Sequence, residues 1–141
     1  AGKRHSLRTT MKKTAALTSL LATLLAALPA SSTEVWIRYA ENETATMYFD
    51  SLRTRKMGDT SFVWDLHDLK AGATDASGKA YRSVMYAIEY QCRARKRRVL
   101  GVQRYADAMG KGAVTEETMT GEWMPTPPES LGGQLFDHIC E

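Results

Sequence analysis

Between Tyr81 and Cys92 the chain alternates without a break. Val84, Tyr86, Ile88, Tyr90 and Cys92 fall on one face, and Tyr81, Ser83, Met85, Ala87, Glu89 and Gln91 on the other. A period of two sustained over this length, rich in β-branched and aromatic residues, fits a strand and no helix. Val99 to Ala106, with Leu100 and Val102, is a second β-rich run close behind it. Two such runs joined by a short connection form an antiparallel hairpin. A chain built around this hairpin must add further strands or a helix to bury its apolar face.

The connection itself is Gln91-Cys-Arg-Ala-Arg-Lys-Arg-Arg-Val99, so Arg93, Arg95, Lys96, Arg97 and Arg98 occupy the tip and the first return residues. A tip protrudes into water, where charge costs little, and cations at an edge discourage edge-to-edge pairing. The same cluster could instead contact a sulfated glycan, an anionic headgroup or an acidic protein patch. Both readings start from exposed side chains.

Other segments extend the β pattern. Val35, Ile37 and Tyr39 alternate with Trp36, Arg38 and Ala40; Asn42 marks a polar turn; Thr46 to Phe49 is extended. After a turn at Met57-Gly58-Asp59, Thr60 to Leu69 places Phe62, Trp64 and Leu66 on one side. Lys70 to Gly78 is Gly, Ala, Asp and Ser, the composition of a surface loop. Gly121-Glu-Trp-Met-Pro-Thr-Pro-Pro128 cannot pair as a central strand and reads as an extended strap. Glu129 to Ile139 then carries Leu131, Leu135 and Ile139 at helical spacing with Phe136 beside them, an amphipathic helix. Gly132 and Gly133 weaken its first turn, by up to about 1 kcal/mol each relative to Ala. The fold class expected is α+β: an antiparallel sheet of about five to six strands packed by a C-terminal helix, with one disulfide.

The N-terminus speaks to location. Met11-Lys12-Lys13 opens a basic region, Thr14 to Leu28 is uncharged and rich in Leu and Ala, and Pro29-Ala-Ser-Ser32 follows. This is the pattern of a secretory signal over residues 11–32, with cleavage expected after Ser32. Residues 1–10 read as an upstream extension and residues 33–141 as one domain. The apolar run of about 15 residues is short of the roughly 20 that span a bilayer, so no stable membrane anchor is expected. The leader holds five basic residues and no acid, which leaves 14 basic against 16 acidic residues, a net charge of −2, in the exported part. That balance argues against general nucleic-acid binding.

Cys92 and Cys140 both fall in the exported part, where two cysteines most simply pair. The alternative is a metal held by Cys92, Cys140, His67 and His138, although no paired C-x-x-C spacing supports it. No G-x-S-x-G, H-E-x-x-H or phosphate-binding Gly-rich loop is present. His67 lies between Asp65 and Asp68, a common surface arrangement, and Asp65 and Glu89 sit on strands that could bring them face to face. Ser130 reads as a helix cap or first-turn residue rather than a nucleophile, and Trp123 as the anchor of the strap into the core. No enzymatic activity and no cofactor are expected.

Gly121-Glu-Trp-x-Pro-x-Pro-Pro-x-Ser130-x-Gly132, the terminal helix with Cys140, Tyr81-Arg82-Ser83 at the start of the long strand, Met109-Gly-Lys-Gly112 and Tyr48-x-Asp50 form an ordered set. This set resembles the surface-adhesin protein E-like family of small exported bacterial proteins, over roughly residues 34–140. The resemblance implies an antiparallel sheet with a C-terminal helix and a Cys92–Cys140 disulfide tying the two together. It also implies a periplasmic or cell-surface location and attachment to host extracellular-matrix proteins, whereas a sulfated glycan as partner follows from the hairpin cations alone. The alternative function is a periplasmic protein of envelope maintenance or assembly with no host ligand.

Overall fold

The structure is a computed structural model and describes Gly2, residues 34–119 and residues 121–141. Gly2 apart, the expected extension at residues 1–10 and leader at 11–32 lie outside the described residues.

Eight strands form one antiparallel sheet: β1 (Trp36–Glu41), β2 (Ala45–Asp50), β3 (Arg55–Met57), β4 (Thr60–Thr74), β5 (Ala80–Gln91), β6 (Lys96–Tyr105), β7 (Val114–Thr118) and β8 (Met124–Pro125). One helix, α1 (Leu131–Ile139), ends the chain. The order across the sheet is β1-β2-β4-β5-β6-β7, with β3 also on β4 and β8 also on β6. The α+β architecture is as the sequence predicts, but the strands among the described residues number eight rather than five to six. The added strands are short or polar: β3 is Arg-Lys-Met, β7 is Val-Thr-Glu-Glu-Thr and β8 is Met-Pro. None shows apolar alternation. They pair because β4 and β6 present backbone donors and acceptors beside them that need partners.

The hairpin is present and its return begins early, with Gln91 opposite Lys96 and Tyr90 opposite Arg97. β4 runs on past Leu69 to Thr74, where a loop was expected. Ala73 and Thr74 pair with Tyr81 and Ala80 after an irregularity that begins at Asp68. Asp75 closes the remaining turn, its Oδ1 accepting from the Ser77 and Lys79 backbone N–H groups, each at 2.9 Å.

One sheet face packs on α1. Phe49, Val63, Ile88 and Tyr90 meet Leu135, Phe136 and Ile139, with the Tyr90 and Phe136 rings edge to face at 5.8 Å. Burying each such side chain stabilises the fold by about 1.5–3 kcal/mol. Phe62, Trp64 and Leu66 point together, as their spacing predicts, but to the opposite face. There Leu66 is fully buried with Met85 below the 3-10 turn Ala108–Gly110. Arg53 lies between Trp36 and Trp64 on the same side, 5.9 and 5.6 Å from the ring centroids. Asp50, at the end of β2, accepts from the Leu52 and Arg53 backbone N–H groups and from the Arg53 guanidinium, which gives Tyr48-x-Asp50 its structural meaning.

The strap reaches the helix along β6. Met124 and Pro125 pair with Arg97 and Lys96, and the Thr126 N–H donates to the Arg95 carbonyl at 3.0 Å. Ser130 then caps α1, its hydroxyl accepting from the Gly133 N–H at 3.0 Å. Cys92 and Cys140 form a disulfide with Cα atoms 5.5 Å apart, joining the end of β5 to the end of the helix. Their sulfurs are therefore not available as metal ligands. Among the described residues no helix is long and apolar enough to cross a membrane.

Candidate functional site

The five cations of the hairpin divide among four environments. Arg93 stands off the tip with its side chain 91% exposed and its Nε 3.8 Å from Asp59. Asp59 also holds the turn, its Oδ1 accepting from the Arg93 N–H at 2.9 Å and its carbonyl accepting from the Cys92 N–H at 2.9 Å. Lys96 is exposed. The other three are half-buried.

Arg95 takes a left-handed backbone conformation, φ 49°, which turns its side chain back toward α1. Its guanidinium lies 4.2 Å from the Phe136 ring centroid and 3.5 Å from Asp137, and its Nε donates to the Thr126 carbonyl at 3.1 Å. Arg98 points to the opposite face, donating to Glu89 at 2.7 and 2.6 Å and stacking 4.6 Å from the Trp123 centroid. Trp123 thus fixes the strap through Arg98, outside the core beneath the helix. Arg97 lies on the helix side of the sheet, along Gly132.

The sheet adds cations that sequence spacing does not group with these. Met57 opposes Thr60, Thr60 opposes Gln91, and Gln91 opposes Lys96, so β3 ends at the same edge of the sheet as the hairpin tip. Exposed Arg55 and Lys56, in register with Arg98 and Arg97, therefore stand three strand spacings, about 14 Å, across the sheet from β6. The acids at this end are Asp59, Asp137 and the terminal Glu141, whose carbonyl accepts from Lys56 Nζ at 3.1 Å. The signal for Arg55 and Lys56 was there only in the Gly58-Asp59 turn, which folds β3 back on β4.

The second feature is a cavity of about 300 Å³ between the sheet and the start of α1. Its sheet wall is Asp65, His67, Tyr86, Ile88 and Val99, and Leu131 covers it from the helix. Asp65 is 5% exposed. One of its oxygens accepts from the Tyr39 hydroxyl at 2.8 Å and the other from His67 Nε2 at 3.0 Å, so that nitrogen carries the proton. Burial first, and the Asp65 charge second, hold the Tyr39 phenol far above its usual range and raise that of Tyr86. The His67 ring meets Tyr86 edge on at 5.0 Å. The triad is a positioning network: a neutral phenol and an imidazole N–H both spend their protons on one carboxylate. Glu89 is not part of it, since Asp65 pairs with Tyr86 while Glu89 pairs with Phe62 and faces Arg98. His138 is elsewhere, against the rings of Phe49 and Tyr39 at 5.6 and 6.4 Å.

No curated protein matches this chain. The fold recurs in solved structures of Haemophilus influenzae protein E. One is 17% identical with a TM-score of 0.62 and covers 74% of this chain and 83% of its own. A second crystal form is 16% identical with a TM-score of 0.64, over 74% of this chain and 86% of its own. Protein E from a non-typeable strain is 18% identical with a TM-score of 0.62, over 77% and 78%. Residues 36–141, from β1 through the capped helix and its disulfide, match the family described as surface-adhesin protein E. The matched span takes in the strap, the cap and the cysteine pair, and the chain belongs to the surface-adhesin protein E family.

Proposed function

We propose that this protein is an exported, non-enzymatic binding module of the adhesin type, whose partner is an extracellular-matrix protein or sulfated glycan presenting clustered negative charge. In this reading residues 11–32 are removed on export and residues 33–141 act at the bacterial surface. The observation that carries it is the basic end of the sheet, where exposed Arg93 and Lys96 of the hairpin share one edge with exposed Arg55 and Lys56 of β3. Fixed on four hydrogen-bonded strands, these cations present a preorganised array, and a polyanion can meet several of them at once.

Binding of the mature domain to heparin and to plated matrix proteins tests this reading. Retention should fall steeply with salt, because exposed charges are screened over about 8 Å at physiological ionic strength. Combined Lys56→Ser, Arg93→Ser and Lys96→Ser should abolish it without unfolding the protein. Salt-insensitive binding, or retention in the triple variant, would refute the basic end as the contact. Protease treatment of intact cells addresses location: degradation supports a surface adhesin, and protection supports the alternative of a periplasmic envelope protein with no host ligand.

A further inference from the structure

Among the described residues five arginines are partly buried: Arg53, Arg95, Arg97, Arg98 and Arg104. Four of them have a carboxylate within 4.0 Å, namely Asp50 and Glu34 for Arg53, Asp137 for Arg95, Glu89 for Arg98 and Glu117 for Arg104. Arg97 has none among the described residues. It lines the cavity under α1. Partly desolvated cations are ordinarily paired, because removing charge from water without a counter-charge is costly.

The surroundings sharpen the anomaly. Arg97 lies so close to Gly132 that a Cβ there would stand 2.8 Å from its Nε and 3.0 Å from its Cζ. The first turn of a helix carries the positive end of its dipole, which repels a guanidinium. The one carboxylate on the lining, Asp65, already accepts from Tyr39 and His67 through its two oxygens. What lacks a direct counter-ion in the cavity is the Arg97 guanidinium, because Asp65 keeps its charge but forms its hydrogen bonds with neutral donors and not with Arg97. The guanidinium lies next to the apolar surfaces of Tyr86, Ile88, Val99 and Leu131.

We infer that this cavity is a binding site for a small organic carboxylate, its anionic group paired with Arg97 and its apolar or aromatic body lying over Tyr86, Ile88 and Leu131. A volume of about 300 Å³ is at the lower end for ligand pockets and suits a body no larger than one ring or a short alkyl chain. An oxyanion accepts the parallel N–H groups of a guanidinium in a way that neither water nor an amide oxygen matches. The site is separate from the basic edge proposed above, since Arg97 faces the helix and not the tip.

The mature chain, isotope-labelled, can be titrated with benzoate, phenylacetate and hexanoate, and in parallel with benzamide, phenylacetamide and hexanamide. Expected are saturable shifts of the Gly132 and His67 amide signals with at least one carboxylate, and affinity at least tenfold weaker for its amide. Arg97→Gln should weaken that carboxylate at least tenfold. Gly132→Ala should do the same by displacing the Arg97 side chain, while its greater helix propensity maintains the fold. Failure of all three carboxylates to shift Gly132, equal binding of the amides, or undiminished binding in both variants would each overturn the site. Shifts confined to Arg93 and Lys96 would also overturn it.

Discussion

The backbone of Gly133 passes against Pro127 so closely that a Cβ on Gly133 would stand 2.1 Å from the Pro127 carbonyl oxygen. It would stand 2.6 Å from the Pro128 oxygen as well. The strap crosses the helix start with no room for a side chain, and the Ser130 cap is set by the same close approach.

Gly133→Ala therefore tests the docking of the helix. Helix propensity alone favours Ala by about 1 kcal/mol. Forcing a methyl against rigid carbonyls costs more, as overpacking typically does, and a net loss of about 2 kcal/mol is expected in urea denaturation. Unchanged or increased stability would show that the strap moves aside freely.

The disulfide closes a loop that holds β6, β7, β8 and α1, with Cys92 and Cys140 separated by 48 positions. Cys92→Ser or Cys140→Ser should lower stability by about 2–5 kcal/mol. Amide exchange should accelerate in α1 before β5, because the helix relies on the bond at its C-terminal end. Uniform acceleration across the sheet would mean that helix and sheet unfold as one unit.

The hairpin cations should differ sharply in their contribution to stability. Arg98→Ser removes a two-fold contact with Glu89 and the stack on Trp123, and should cost about 1–2 kcal/mol. Arg93→Ser, at a fully solvated tip, should change stability by less than about 0.5 kcal/mol. Similar losses for both in thermal unfolding would contradict the division between structural and free cations.

Alkaline pH should expose the buried phenols. Tyr39, Tyr86, Tyr90 and Tyr105 all have raised pKa values, with burial the largest cause in each. A raised folded-state pKa means that the native protein keeps protons the unfolded chain has lost. The stabilisation is complete below about pH 10, the ordinary phenol value, and stability falls as pH rises beyond it. Absorbance at alkaline pH should show fewer than the chain's six tyrosines ionising while the fold persists, and the rest on unfolding. Ionisation of all six as one ordinary group, with near-ultraviolet dichroism intact, would count against these environments.

Local pattern determined the long strands, the hairpin, the strap and the terminal helix. Alternation over Tyr81–Cys92 and helical spacing of Leu131, Leu135 and Ile139 follow from which faces must leave water, while the choice of Ser130 as cap over first-turn residue is made by the structure. Tertiary structure decided the rest. β3, β7 and β8 have no pattern of their own and form because β4 and β6 supply partners. Gly133, a weakness by helix propensity, is required where the Pro127 carbonyl approaches the backbone, and Gly132 leaves the space that the Arg97 side chain fills. One run of five cations was divided between solvent, helix, cavity and tryptophan because side chains alternate across a strand and the turn at Arg95 reverses the chain. Asp65, His67 and Tyr39 came together only through strand register, which depends on contacts between segments distant in the chain and leaves no local mark in any one of them.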